Sequence, residues 1–160
     1  MRPFTICLWF DDQAEEAATF YTGVFPDGEI SNVSRYGEDA PGGRPAGSVM
    51  AANFRANGTD FMALNGGPAP WRFDEAISLV VHAETQEEAD RYWEVLRAEG
   101  ETQQCGWVKD RFGLVWQVVP DGLESLLGDP DPGRARRAMQ AMLGMERLDL
   151  GAMRAAADAG

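Results

Sequence analysis

Histidine and cysteine are scarce in this sequence. Its 160 residues include one histidine, His82, and two cysteines, Cys7 and Cys105. Two cysteines provide neither a disulfide framework nor a Cys-x-x-Cys motif. A transition metal needs several imidazole or carboxylate donors, and a single histidine contributes little toward such a set.

Positive charge is also scarce. The chain carries 14 Lys and Arg against 26 Asp and Glu, a net charge of −12. Nucleic-acid binding requires a basic surface that displaces phosphate counterions, so the charge argues against nucleic acid and, for the same reason, against anionic membranes. It is compatible with a cationic or neutral small ligand, although it also serves simply to keep an acidic protein in solution.

Long hydrophobic runs are missing as well. No apolar run approaches the roughly 20 residues of a membrane helix. Met1–Phe4 lead directly into strand-like sequence, without the basic start, apolar run and small-residue cleavage site of a signal peptide. The apolar and charged fractions, 44% and 25%, are those of a globular protein. We therefore expect a single domain located in the cytoplasm.

The first half of the chain predicts one helix among four strands. Residues 4–10 are rich in β-branched and aromatic types, which favours a buried strand. Asp12 and Glu15 have the spacing of a capping box at the start of a helix. Three more strands follow, the last two joined by an Asn57-Gly58 hairpin turn, at about 29–36, 48–56 and 59–64.

The second half repeats this order after a linker at about 66–75. A strand is predicted at 76–83, a second capping box at Thr85 and Glu88, and further strands at about 102–109 and 113–119. The repeat is visible in the letters, because Glu15-Glu16-Ala17 with Phe20-Tyr21 matches Glu87-Glu88-Ala89 with Tyr92-Trp93 at a constant offset. A weak repeat of this size indicates duplication of a βαβββ unit rather than a solenoid.

The C-terminal residues lie outside the repeat. The run Asp129-Pro130-Asp131-Pro132 provides an N-cap and an N1 proline before a helix at about 133–144, and Asp149 is placed to cap a second short helix. We expect these helices to pack on the outside of the sheets or across a dimer partner. The predicted division is a paired domain over 1–120, with modules at 4–65 and 76–119, and a helical extension over 121–160.

Several motifs, in order, resemble a known family. They are Cys7-Leu8-Trp9-Phe10 with Ala14–Ala17 and Phe20-Tyr21, then Phe25-Pro26, Leu64–Pro68, and Trp107 with Asp110–Trp116. Together they are similar to the PhnB-like branch of the vicinal-oxygen-chelate superfamily, which includes glyoxalase I, bleomycin-resistance proteins and extradiol dioxygenases. The resemblance covers about residues 4–120, and the C-terminal residues are also similar to those of this branch.

The resemblance implies an α+β fold in which two tandem βαβββ modules form a half-barrel around a cavity, commonly completed in a homodimer. Members of the branch often carry a methyltransferase label. The sequence gives no support for that activity, because it has no Gly-rich strand-to-helix turn followed by an acidic residue about 20 positions on, as a nucleotide-type cofactor site would have. We expect no cofactor.

The resemblance also implies where a metal would be held. The ligand positions fall near Thr5-Ile6 and at Ser78 on the first strands, and within Met62–Leu64 and at Gln117 on the last strands. Only Gln117 is a donor of the right type, and a single amide does not hold a metal. The sequence therefore predicts no metal site.

Three residues are candidates for acid–base catalysis. His82 shares a strand face with Ser78, and its ordinary pKa suits proton transfer near neutrality; the alternative is a solvated or hydrogen-bonded histidine at a strand end. Asp110 either takes part in chemistry or shapes the turn before the last strand. Gln117 is the third candidate.

Tryptophans are numerous and suggest an apolar cavity for a flat ligand, although core packing explains any single one equally well. Cys105 is either a reactive thiol or a small buried apolar residue, and the second is favoured because no neighbouring base or positive charge activates the thiol. The predicted ligand pocket comprises Trp9, Asn65, Trp71, Ser78, Cys105, Trp107, Trp116 and Gln117.

Three functions are compatible with these observations. The first is a metal-free protein that binds a small, partly aromatic molecule. The second is an enzyme of the same superfamily, an isomerase or lyase, that uses acid–base residues or an unrecognised metal. The third is a regulatory or structural partner that acts through the C-terminal helices. Of the three, we favour small-molecule binding by a homodimer.

Overall fold

The computed structural model describes residues 3–160. Within this range no helix combines the length and apolar character needed to cross a bilayer. The strands are β1 (Ile6–Phe10), β2 (Glu29–Arg35), β3 (Val49–Ala56), β4 (Thr59–Asn65), β5 (Leu79–Ala83), β6 (Glu101–Thr102), β7 (Trp107–Lys109) and β8 (Val115–Pro120). The α-helices are α1 (Ala14–Val24), α2 (Gln86–Arg97), α3 (Leu123–Leu127), α4 (Pro132–Leu143) and α5 (Leu150–Asp158).

Module one, from β1 to β4, is a mixed four-stranded sheet with one helix. The strand order is β1-β4-β3-β2, with β1 parallel to β4 and the other pairs antiparallel. Helix α1 covers one face, where Tyr21 stacks on Phe54 at 5.9 Å between ring centroids and Phe54 stacks on Phe61 at 5.0 Å. Burial of such aromatic side chains contributes about 1.5–3 kcal/mol each and fixes which sheet face is the core.

Module two, from β5 to β8, repeats this topology. Its strand order is β5-β8-β7-β6, again with only the first pair parallel. Strands β1 and β5 have the same alternation of buried and exposed residues, which aligns Ile6–Phe10 with Leu79–Ala83. The predicted α+β fold with two tandem βαβββ modules and C-terminal helices is therefore confirmed.

The predicted capping box at Asp12 is wrong. Gln13 is the N-cap of α1, and no side chain of its own segment caps the helix. The cap comes instead from β4, where the Asn65 Oδ1 accepts from the Ala14 N–H at 2.8 Å. The Asn65 Nδ2 also donates to the carbonyls of Asp12 and Val49. A cap supplied 51 residues away cannot be read from local spacing.

The other predicted caps are present. Thr85 accepts from the Glu88 N–H, Asp131 accepts from the Gly133 N–H ahead of α4, and Asp149 accepts from the Ala152 N–H in α5. The predicted strand at 76–83 is shorter in the structure, because β5 begins only at Leu79.

The C-terminal helices pack on module two. Their buried side chains form one apolar cluster, which Val119 of β8 joins. Gln86, at the start of α2, holds the connection between α4 and α5: its Nε2 donates to the Leu148 carbonyl, and its Oε1 accepts from the Leu150 N–H. Arg147 also pairs with Asp90 of α2. The short helix α3 was not predicted from the sequence.

The chain divides into two compact units, with the division between Trp71 and Arg72. Module one lies in the first unit, and module two lies with α3, α4 and α5 in the second. The boundary expected near residue 120 stays a prediction.

Replacing Asn65 tests the long-range cap. We expect Asn65→Ala to lower the free energy of unfolding by about 2 kcal/mol, because it leaves the buried Ala14 N–H without an acceptor. Asn65→Asp keeps an acceptor but loses both donors, so it should fall between wild type and Asn65→Ala. Urea denaturation measures the effect, with Asn53→Ala on the opposite sheet face as the control. Equal stability of the two alanine variants would contradict the cap.

Replacing Gln86 tests the attachment of the C-terminal helices. We expect Gln86→Ala to cost about 1–2 kcal/mol, because two backbone groups lose their partner. Hydrogen exchange should rise in α5 more than in module one. Glu87→Ala, at the exposed neighbouring position, is the control, and an α5 that exchanges equally in both variants would refute the attachment.

Candidate functional site

Each sheet has one face covered by its helix and a second face that the helix does not reach. We call the second the open face. Side chains along a strand alternate between the two faces of the sheet. The residues on either side of each helix-covered residue therefore lie on the open face. In module one the register places these residues on the open face: Cys7, Trp9, Ala51, Asn53, Arg55, Asp60, Met62 and Leu64.

Trp9 and Trp71 form an exposed aromatic corner at one end of this face. Their ring centroids lie 5.4 Å apart at an interplanar angle of 77°. The Trp9 indole N–H donates to the Gly67 carbonyl at 2.9 Å, and a Cβ at Gly66 would lie 2.0 Å from the Trp9 ring. The glycine therefore lets the ring lie against the loop after β4. Trp9 is 37% exposed and Trp71 57% exposed, so both rings present apolar surface to a ligand.

A polar cavity of about 430 Å³ adjoins the same sheet. The Arg55 Nε donates to the Asp60 Oδ1 at 3.1 Å across the Asn57-Gly58 hairpin. The cavity lining is Thr5, Glu29, Ser31, Asn53, Phe54, Arg55, Asp60 and Phe61. The sequence predictions missed Arg55 and Asp60. A two-residue turn at Asn57-Gly58 pairs them directly, and that register was the available signal.

Asn65, a predicted pocket residue, lies on the helix-covered face. It is 3% exposed, and its amide is committed to the cap of α1 and to the Val49 carbonyl. Its backbone carbonyl accepts from the Tyr36 hydroxyl at 2.7 Å. These contacts give Asn65 a structural role.

The open face of module two carries Ser78, Gln117 and Trp107. The Gln117 Nε2 donates to the Ser78 Oγ at 2.8 Å, and Trp107 lies directly opposite Gln117 in the β7–β8 register. His82 is exposed and lies one pair further along, opposite Val119. The structure therefore brings Ser78, Trp107 and Gln117 together, with His82 on the same face.

Lys109, also on this face, is paired with Glu75. The Lys109 Nζ lies 2.7 Å from the Glu75 Oε1, to which the Gln103 amide also donates at 2.8 Å. The Lys109 and Gln103 hydrogen bonds lower the pKa of Glu75 from 4.5 to about 2. Glu75 is therefore ionised at neutral pH. The stabilisation from this contact is complete above the ordinary pKa and is lost as the pH falls toward 2.

Asp110 and Trp116 lie on the opposite, helix-covered face of module two. Asp110 is 3% exposed and its carboxylate accepts from the backbone N–H groups of Phe112 and Leu114 and from the Trp116 indole N–H. It fixes the turn before β8 and is separated by the sheet from His82 and Gln117. The structure thus does not bring the three catalytic candidates together.

Cys105 lies where module two meets the C-terminal helices. Its φ of 61° is unusual for a residue with a side chain, and its N–H donates to the Met145 carbonyl at 2.8 Å. The Sγ lies 3.7 Å from the Met142 carbonyl oxygen. These contacts orient Cys105 toward the C-terminal helices.

The aligned registers identify which residues of the two modules correspond. Thr5 corresponds to Ser78, because each directly precedes the aligned first strand of its module. Met62 pairs with Cys7 as Gln117 pairs with Val80, so Met62 corresponds to Gln117. The positions to which the resemblance assigns a metal thus carry, in this register, two hydroxyls, a thioether and an amide. Over residues 3–160, no three His, Cys, Asp or Glu side chains cluster as a metal site. This donor set does not fit a divalent transition metal.

Comparison with known proteins identifies the family. The sequence profile described as 3-demethylubiquinone-9 3-methyltransferase matches residues 2–119. A PhnB protein from Bacillus cereus is 35% identical over 74% of this chain and 99% of its own, with a TM-score of 0.68. No curated protein matches significantly.

Two more distant structures share the fold. Protein PA1353 from Pseudomonas aeruginosa is 23% identical over 75% of this chain and 98% of its own, with a TM-score of 0.62. The fosfomycin resistance protein FosX from Listeria monocytogenes is 17% identical over 78% of this chain and 94% of its own, with a TM-score of 0.55. The chain therefore belongs to the PhnB-like 3-demethylubiquinone-9 3-methyltransferase family, within the glyoxalase or vicinal-oxygen-chelate superfamily.

Proposed function

We propose that this protein binds a small, flat, partly aromatic molecule without a metal ion. The observation that carries the proposal is the exposed Trp9–Trp71 corner on the open face of module one. Apolar surface with a few convergent polar groups is the usual make-up of a small-molecule site. The rings supply stacking area, and the Trp9 indole N–H is already bound to the Gly67 carbonyl, which holds that ring in place.

The donor set supports binding without a metal. Thr5, Met62, Ser78 and Gln117 lie where the resemblance to the superfamily implies metal ligands, and none of them is a histidine or a carboxylate. The single amide among them donates to Ser78 instead. Of the remaining predicted pocket residues, Trp107 and Gln117 belong to the open face of module two.

Methyl transfer is not part of this proposal. The connection from β1 to α1 is Asp11-Asp12-Gln13, and the first turn of α1 carries Glu15 and Glu16. This acidic turn lacks the glycine-rich backbone at which a nucleotide-type cofactor would bind.

The alternative is an isomerase or lyase that uses acid–base groups. One observation favours it: the Ser78–Gln117 hydrogen bond lies on the same open face as His82. Saturable binding without chemical change of the bound compound would support the binding protein, whereas turnover lost in His82→Gln would support the enzyme. The family also implies a homodimer, which sedimentation equilibrium tests.

Replacing Trp9 tests the aromatic corner. A thermal-shift screen of neutral and cationic bicyclic aromatic compounds supplies the probe. We expect Trp9→Ala to weaken binding of the best compound about tenfold, through loss of stacking and burial. Trp9→Phe should recover part of the affinity, and Leu143→Ala, which removes an exposed apolar side chain from α4, should leave it unchanged. Equal affinity in Trp9→Ala and wild type would rule out the corner.

Metal content tests the other half of the proposal. We expect elemental analysis of the purified, untagged protein to find far less than one metal per chain, even after incubation with Fe, Mn, Ni or Zn. The chelator EDTA should leave binding of the screened compound unchanged. A near-stoichiometric metal whose removal abolishes binding would contradict a metal-free site.

A further inference from the structure

Residues 73–78, just before β5, make contacts that reach across the sheet of module two. Glu75 lies four residues ahead of Leu79, the first residue of β5, yet it binds Lys109 of β7 and Gln103 after β6. Strand β8 lies between β5 and β7. Neighbouring strands are about 4.8 Å apart, so the segment spans roughly 10 Å across β8.

A second contact joins the end of the segment to β8. Ser78 accepts from the Gln117 side chain at 2.8 Å. Lys109 and Gln117 both belong to the open face, since Val108 and Trp116, at the alternate positions, are buried on the other face. The segment therefore crosses the open face at the end where β5 and β8 begin.

The corresponding contacts in module one do not involve such a segment. Arg55 corresponds to Lys109 in the aligned registers, but it pairs with Asp60 on the adjacent strand. Gln117 corresponds to Met62, which has no amide to donate. Over residues 3–160, only module two therefore has a segment that crosses its open face, so a ligand reaches that face less easily than it reaches the open face of module one.

We propose that residues 73–78 form a strap that closes the open face of module two, with Glu75 as its releasable anchor and Gln117 as the group that it covers. This inference rests on the proposed function, because it takes an open sheet face as the kind of surface to which a ligand binds. A ligand that hydrogen-bonds to Gln117 must first displace Ser78. Opening of the strap exposes Trp107, which lies opposite Gln117.

The anchor has the properties of a contact that opens readily. The side chains of Glu75 and Lys109 are 46% and 26% exposed, so water and salt screen their attraction. Exposed ion pairs of this kind contribute little to stability. Loss of the pair is therefore expected to raise the population of the open strap only about two- to fivefold. The Glu75 carboxylate stays charged at any pH above the ordinary range of a carboxyl pKa. Opening of the strap is therefore controlled by ionic strength and by ligand rather than by pH near neutrality.

Hydrogen exchange tests the strap directly. We expect Glu75→Gln and Lys109→Met each to speed exchange in the peptide covering residues 73–80 about two- to fivefold, and the double variant to add little to either change. Raising the salt concentration should speed exchange in wild type but not in Glu75→Gln. The control is Glu87→Gln, which makes the same charge change on the exposed face of α2. Unchanged exchange in Glu75→Gln would overturn the proposal.

Binding of Nile red, a neutral apolar dye, tests whether the strap covers the face. Glu75→Gln should bind the dye more tightly than wild type, and adding Trp107→Ala should remove the gain. Faster exchange without that gain would refute the covering role. These outcomes are independent of the proposed function, which is judged by the effect of Trp9→Ala on the screened compound.

Discussion

A four-stranded sheet has two faces, and each module of this protein has one helix to cover them. This constraint determines where everything else lies. The large apolar side chains crowd beneath α1 and α2, with Tyr21 stacked on Phe54 and Trp116 hydrogen-bonded to Asp110. The opposite faces keep exposed tryptophans, charged pairs and an amide. Function is therefore assigned to the faces that the helices leave open.

Two buried polar residues have structural roles in this fold, although in the sequence they look like residues of a functional site. Asn65 and Asp110 are both 3% exposed and both precede or follow a strand at a turn, where site residues are often found. One caps α1 across 51 residues, and the other closes the turn before β8. A buried polar side chain without such partners would be costly, so their hydrogen bonds explain why these residues are polar.

The sequence predicted the repeat, the strand order along the chain and the caps at Thr85, Asp131 and Asp149, because these features depend on local spacing. It misplaced the cap of α1. It named Trp116 as a pocket residue and Asp110 as a catalytic candidate without indicating that both lie on the helix-covered face, because the assignment of a residue to a face depends on strand register. The Glu75–Lys109 contact was also missed, since it requires knowing that β8 separates β5 from β7. Long-range pairing, rather than local propensity, decided which candidates share a face.

Chemical-shift mapping by NMR can show where the isotope-labelled protein binds the best compound from the aromatic screen. We expect shifts concentrated on open-face residues of module one, including the Trp9 and Trp71 indoles, that saturate without added metal. Shifts confined to α1, α2 or the C-terminal helices, or binding that appears only with a divalent metal, would contradict the proposed site.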